Sequence, residues 1–390
     1  MDQTSQYHIT FRSIPQGLTE RQPLWVAEFA LSGIQRYLFG EGDIHISRAT
    51  LCRRSAHVEN LTAAIDRRLE ASFKDCDYRC LSRAGGKVLC AFSRKADLSA
   101  LNTFGQTLQQ QVFASTEGQL ELYFAFVPTI VRREDSSEEP LAVERELSLR
   151  LQAQKYHPTD LLFADLSSAR EEGLTLAALV PQEEMAPAVD GAGMAMKFDL
   201  DNLGLFFGKI SAFDERMAAA DALKEVLEAA LDESVYIGGD DLFAVAPLEN
   251  ALGIAASMYR RICAELETRP PLAPYCPHFG LSGGICQTAL GESLPLIYGF
   301  NAAEEQLELA KSIPGKNRVV VEGSALTWEQ LCLLARMEEE QRDLLFAGMD
   351  PAAIRNEKRD VRRLAQRILA CHRKAPILQP KEVQALECIH

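Results

Sequence analysis

Two stretches of the chain repeat one succession of apolar runs and helically spaced segments. The run Leu24-Trp25-Val26-Ala27-Glu28-Phe29-Ala30-Leu31 predicts a strand, and Ser32-Gly33-Ile34-Gln35 with a helical stretch to about Leu69 follows it. Ala84-Gly85-Gly86-Lys87 then leads into the apolar Val88 to Phe92, a helix over Leu98 to Gln111 and a strand over Leu120 to Val127. The second stretch opens at Met194, where Met194, Met196, Phe198 and Leu200 alternate with Asp199 and Asp201 and predict a strand ending in two exposed carboxylates. After it come Asn202-Leu203-Gly204, an alanine-rich helix around Met217 to Leu231, the run Val235-Tyr236-Ile237 and Gly238-Gly239-Asp240-Asp241. The apolar Leu242 to Val245, a helix over Ala251 to Leu266 and a strand from Phe279 to Ile285 complete it.

Each stretch reads strand, helix, hairpin, helix, strand, which pairs residues 24–135 with 192–325 as diverged copies. The order suits an α+β protein with two ferredoxin-like domains, each an antiparallel sheet with helices on one face. The expected division is 1–135 for the first domain, 136–190 for a helical connector, 191–325 for the second and 326–390 for a C-terminal helical domain. In the last, Trp328, Leu331, Leu334 and Met337 fall at helical spacing. Ile354 to Lys374 carries Arg355, Lys358, Arg359, Arg362, Arg363, Arg367, Arg373 and Lys374, which predicts one basic amphipathic helix. It reads as a solvated bundle face, with contact to RNA or an acidic partner as the alternative.

At 390 residues with 47% hydrophobic and 25% charged positions, the chain is globular in composition. No apolar stretch approaches the roughly 20 residues of a membrane span, and the N-terminus lacks the basic start and apolar core of a signal peptide, so a cytoplasmic protein is expected. The net charge of −14 argues against nucleic-acid binding over the whole surface. The ten cysteines form no Cys-x-x-Cys pair, which predicts reduced, mostly buried thiols rather than a zinc site.

The chemistry gathers at the acids. Glycines supply the positive φ of a tight turn, so Gly238 and Gly239 would hold Asp240 and Asp241 at a hairpin tip near the end of the strand bearing Asp199. Such carboxylates suit Mg²⁺ or Mn²⁺ and an in-line phosphoryl displacement. Asp199 and Asp240 are the first choices as metal ligands; Asp201, Asp241 and the backbone carbonyl of Leu200 come next, and Asp199, Asp240 and Asp241 are the expected catalytic acids. Gly238, Gly239, Asn202, Gly204, Ser282, Lys311 and Lys316 are candidate nucleotide contacts, the two lysines as cations for β- or γ-phosphate oxygens. Taken singly, the hairpin is a plain turn, Asp201 or Asn202 a helix cap, Lys311 a helix-end charge, and Ser282 and Phe206 core residues.

Asp199-Leu200-Asp201-Asn202-Leu203-Gly204, the Gly-Gly-Asp-Asp hairpin, Ala310-Lys311, Lys316-Asn317 and Ser32-Gly33-Ile34-Gln35 together resemble the large, signal-producing subunit of type III CRISPR effector complexes, a family with two palm domains. The resemblance covers about residues 25–325. It implies synthesis of cyclic oligoadenylates from ATP, at a composite site where the two palms pair within one chain and Lys87 stands where the first palm would carry acids. It also implies effector subunits and guide or target RNA as partners, and leaves a homo-oligomer open. The chain departs from the family in having no His-Asp dipeptide of the nuclease domain and no cysteine-rich zinc element between the palms, so DNA cleavage is not expected. A stand-alone minimal CRISPR polymerase making a cyclic dinucleotide, and a non-catalytic RNA-binding scaffold, are the alternatives. A diguanylate cyclase fits less well, because it pairs two identical active domains.

Overall fold

The computed structural model describes residues 7–39, 48–134, 141–156, 191–210, 212–230, 234–238, 241–274, 279–290 and 296–389. The chain forms two compact units, one of Met1–Asp43, Leu51–Glu184 and Gly208–Ala220, the other of Ile44–Thr50, Met185–Phe207 and Asp221–His390.

In the first unit β1 (Tyr7–Phe11), β2 (Pro23–Ser32), α1 (Ile34–Phe39), α2 (Arg48–Ser72), β3 (Arg79–Ala84), β4 (Lys87–Ser93), α3 (Leu98–Ser115), β5 (Glu121–Arg133), β6 (Leu141–Ala142) and α4 (Val143–Tyr156) follow in order. The sheet runs β3-β4-β2-β5-β1-β6. The first four strands in that order pair antiparallel, whereas β1 lies parallel to both β5 and β6. Gly85 and Gly86 take φ of 57° and 79° between the paired Ala84 and Lys87, the left-handed conformation that a two-residue hairpin turn demands. Phe29, Val88, Phe92 and Phe124 pack with Leu61, Ile65 and Leu69 of α2 and Leu108 and Val112 of α3. Leu24, Val26 and Ala30 form a second core on the other face with Val143, Leu147 and Leu151 of α4. Gln154 of α4 also caps the free edge of β5, accepting from the Phe124 amide at 3.2 Å and donating to its carbonyl at 2.7 Å.

The second sheet is built from β7 (Gly191–Asp201), β8 (Ser234–Gly238), β9 (Asp241–Pro247), β10 (Gly280–Leu290), β11 (Val319–Val321) and β12 (Ser324–Leu326). With them come α5 (Leu203–Gly208), α6 (Phe213–Ala230), α7 (Ala251–Thr268) and α8 (Leu296–Ser312). The order is β12-β11-β10-β7-β9-β8. With strands counted from β2 and from β7, both sheets therefore hold the ferredoxin-like order fourth, first, third, second, extended beyond the fourth strand. The likeness reaches single residues. Gly33 at φ 80° and Asn202 at φ 61° each precede a six-residue helix and accept the amide four residues on, from Tyr37 at 2.8 Å and Phe206 at 3.0 Å. Lys87 pairs with Ala30 where Asp241 pairs with Asp199, so the first sheet has no acid at either position.

The helices α9 (Trp328–Glu340), α10 (Arg342–Leu345), α11 (Pro351–Arg359), α12 (Val361–Lys374) and α13 (Pro380–Glu387) end the chain within the second unit. Trp328 stacks on Tyr259 of α7 with ring centroids 4.4 Å apart and donates to the Leu281 carbonyl at 2.7 Å. The single basic helix expected over 354–374 is instead two helices. Asp360 breaks them apart in an extended conformation and accepts from the amides of Arg362 at 3.0 Å and Arg363 at 3.2 Å, capping α12. Several of the bases have partners within the protein: Lys358 is buried against Glu338, the exposed Arg362 donates to the Ser324 hydroxyl at 2.9 Å, and the half-buried Arg367 meets Glu357 at 3.0 Å.

The thiols also depart from expectation. Among the described residues all are free, but only Cys90 and Cys286 are buried, because the others lie on helix flanks and a sheet edge. Burial pushes the Cys286 thiol up to about 12. Among the described residues no helix is long and apolar enough to cross a membrane.

Candidate active site

The strand β7 positions the site because it lies between β10 and β9 at the centre of the second sheet. The register sets Asp199 opposite Ser282 on one side and opposite Asp241 on the other. Among the described residues, pairing with β9 reaches Asp199 and pairing with β10 reaches Asp201. Gly238 pairs with Asp241 across the hairpin. Gly239 and Asp240 lie outside the described residues, as does the Asp241 side chain.

Asp199 is met by Lys311, whose Nζ lies 3.2 Å from Oδ2. Lys311 is carried by the last turn of α8, and α8 lies directly on the sheet because Gly284 leaves no side chain beneath it: a Cβ there would be 2.1 Å from the Ala303 carbonyl oxygen and 2.3 Å from the Leu307 amide. Glycine pairs within strands mark such close approaches. Two residues before Asp199 on β7, Lys197 is buried under the same helix, its Nζ paired with Glu304 and 4.5 Å from the Phe300 ring. Neither Gly284 nor Lys197 was among the expected site residues, although the run Gly283-Gly284 in a strand carries the signal for the first.

The expected pair of exposed carboxylates is not found. Asp201 is 1% exposed and Asp199 is largely covered, because α8 and the loop after it close over this face of β7. The Ser282 hydroxyl donates to both Asp201 oxygens, at 2.9 Å and 2.8 Å, and the Asn317 amide donates to Oδ2 at 2.9 Å. Ser282 itself is fully buried, so its role as a nucleotide contact gives way to a bond with Asp201. Leu200 and Phe206 are core side chains, the Phe206 ring lying tilted against Phe279 with centroids 4.5 Å apart. Asn202 and Gly204 are exposed, and the space where a Cβ on Gly204 would lie is open. Lys316 is half-buried in the loop after α8, where Gly315, Lys316 and Asn317 all take positive φ.

A hard divalent cation fits this donor set in kind. Acids placed directly opposite on antiparallel strands stand about 4.5–5.5 Å apart at Cβ and repel unless they share a cation. Asp199 and Asp241 hold those register positions, and Lys311 supplies one charge to Asp199. Among the described residues no group of three or more His, Cys, Asp or Glu gathers as a metal site.

An acid-bearing ferredoxin-like sheet preceded by an acid-free copy gives the chain two palm-like folds. Residues 194–320 match the family model for the second palm domain of Cas10/Cmr2. The fold agrees: Csm1 of T. onnurineus is 16% identical, with a TM-score of 0.57, over 94% of this chain and 66% of that one. A Csm1–Csm4 cassette in complex with cA4 is 15% identical at a TM-score of 0.57, over 92% of this chain and 63% of that one. The cassette in complex with pppApA gives 15% and 0.57, over 94% and 67%. The chain thus spans about two thirds of the length of these proteins. No curated protein matches it by sequence. Residues 194–320 are thus similar to the second palm of the Cas10/Cmr2 family, and the fold of the chain is similar to that of Csm1.

Proposed function

We propose that this protein is a metal-dependent nucleotidyltransferase that converts ATP to cyclic oligoadenylate in CRISPR-type antiviral defence. The observation that carries the reading is the meeting of Asp199 and Lys311 at the register position facing Asp241, on a palm matched by the Cas10/Cmr2 family. In each elongation step a 3′-hydroxyl oxygen bonds to the α-phosphorus of the next ATP, the bond from that phosphorus to the bridging oxygen breaks, pyrophosphate leaves and the hydroxyl proton passes to solvent; ring closure is the same attack on the α-phosphorus of the oligomer's own 5′-triphosphate, releasing the last pyrophosphate. Mg²⁺ or Mn²⁺, once bound, would stabilise charge on the attacking and leaving oxygens. Asp199, Asp240 and Asp241 would hold it, with the Leu200 carbonyl as a further donor. Lys311 and Lys316 would face the triphosphate, and the exposed Asn202 and Gly204 would leave its approach open.

Csm1 relatives are solved with Csm4 and with AMPPNP, which supports ATP as substrate and an effector subunit as partner. Guide or target RNA is proposed as the activating partner. The test is incubation with each ribonucleoside triphosphate and Mg²⁺ or Mn²⁺, with and without effector subunits and target RNA, followed by mass analysis. Cyclic adenylates that vanish in Asp240→Ala/Asp241→Ala support the reading, and the mass gives the ring size. Identical behaviour of wild type and variant under every condition refutes it and leaves the RNA-binding scaffold.

A further inference from the structure

The two acids of Asp199-Leu200-Asp201 sit in opposite circumstances. Asp199 meets a lysine at the strand end, whereas the buried Asp201 spends both carboxylate oxygens on donors of the protein: the Ser282 hydroxyl at 2.9 and 2.8 Å, and the Asn317 amide at 2.9 Å. The fold makes room for this arrangement. A Cβ at Gly280, on the neighbouring strand, would stand 2.9 Å from Asp201 Oδ2 and 3.3 Å from the Asn317 Cβ. Asn317 answers with its own side chain, whose Oδ1 accepts from the Leu281 amide at 3.2 Å.

These bonds add to the Lys316 amide's own bond to the Ile313 carbonyl at 2.9 Å in holding the loop after α8. Gly315, Lys316 and Asn317 run at φ of 88°, 47° and 50°, and side chains other than glycine resist that region unless the surroundings fix them there. The loop joins α8, which ends just after Lys311, to β11, and it carries Lys316. We propose that Asp201 is a positioning residue and not a metal ligand: through the Asn317 amide it anchors the loop and so sets Lys316 for the triphosphate of the nucleotide. The proposal rests on the nucleotidyltransferase reading and divides the labour within the motif, with Asp199 for the metal and Asp201 for the cation that meets the phosphates. A buried carboxylate with both oxygens already engaged by a hydroxyl and an amide must give up those bonds to take an ion.

The experiment compares Asp199→Asn, Asp201→Asn, Asp201→Ala and Ser282→Ala in the full chain. Mn²⁺ binding is read by electron paramagnetic resonance, steady-state kinetics with ATP gives KM and kcat, and hydrogen exchange follows the Asn317 amide. Asn at 201 keeps an acceptor for the Asn317 amide, so Asp201→Asn is expected within about twofold of wild type in Mn²⁺ affinity and KM, while Asp199→Asn loses Mn²⁺ binding. Asp201→Ala is expected to free the Asn317 amide and raise KM about tenfold with kcat changed less than about threefold and Mn²⁺ affinity kept. Ser282→Ala, which removes one donor, carries the comparison if Asp201→Ala does not fold. Loss of Mn²⁺ binding in Asp201→Asn, or unchanged Asn317 exchange in the alanine variants, overturns the proposal. Wild type that binds neither Mn²⁺ nor ATP overturns the nucleotidyltransferase reading first, and the KM effect with it.

Discussion

Gly284→Ala tests how the lysine reaches Asp199. The added Cβ would lie 2.1 Å from the Ala303 carbonyl oxygen, 2.3 Å from the Leu307 amide and 2.9 Å from the Gln306 carbonyl carbon, all backbone of α8. No side-chain rotamer relieves a clash with backbone, so the helix must withdraw by about 1.3 Å to restore ordinary contact near 3.4 Å. Ala303, Leu307 and Ala310 of that helix are fully buried, so the shift opens gaps along the whole contact. Overpacking of this kind costs about 1–3 kcal/mol. Lys311 lies one turn beyond Leu307, and the same shift carries its Nζ beyond salt-bridge reach of Asp199, now at 3.2 Å. The chain has two tryptophans, Trp25 and Trp328. In a Trp25→Phe background the fluorescence of Trp328 follows urea unfolding of the second unit. With a slope of about 3 kcal/mol per molar, the midpoint should fall by about 0.3–1 M. Gly253→Ala is the control: it lies inside α7 with nothing within 4 Å of the added Cβ, and is expected to stabilise by about 0.5–1 kcal/mol. Equal midpoints for Gly284→Ala and wild type would refute the close seating of α8.

Trp328→Phe keeps the stack on Tyr259 but leaves the buried Leu281 carbonyl without its donor, and should cost about 1–3 kcal/mol in thermal unfolding followed by circular dichroism. Burial holds the His57 imidazole, which bonds the Tyr37 hydroxyl, below its ordinary value. The folded protein then binds this proton less readily than the unfolded chain, so the stability His57 contributes is present above about pH 6.5 and is lost as pH falls from there towards the lowered value. Urea midpoints at stepped pH should show that loss in wild type and less of it in His57→Gln.

Periodicity and turn chemistry made the two-sheet plan legible in the chain. The strand bearing Met194 to Asp201, the Gly85-Gly86 turn and the pairing of Gly238 with Asp241 all follow from local rules, because alternation and positive φ are properties of a few adjacent residues. The duplicated order was legible for the same reason. The break at Asp360 was within reach too, since an acid before Val361 is a helix-cap signal, but the run of bases around it masked the boundary.

The fate of each acid was not legible. Asp199 and Asp201 are alike in type and two residues apart, yet one meets Lys311 and the other disappears beneath Ser282 and Asn317, residues 81 and 116 positions away. By itself the sequence determined where the strands lie and that two carboxylates share one face of β7. Only the tertiary structure decided which of them stays within reach of solvent and substrate, because burial depends on what packs above a residue. Here that is a helix let down onto the sheet by Gly284 and a loop held in place by the very carboxylate it covers.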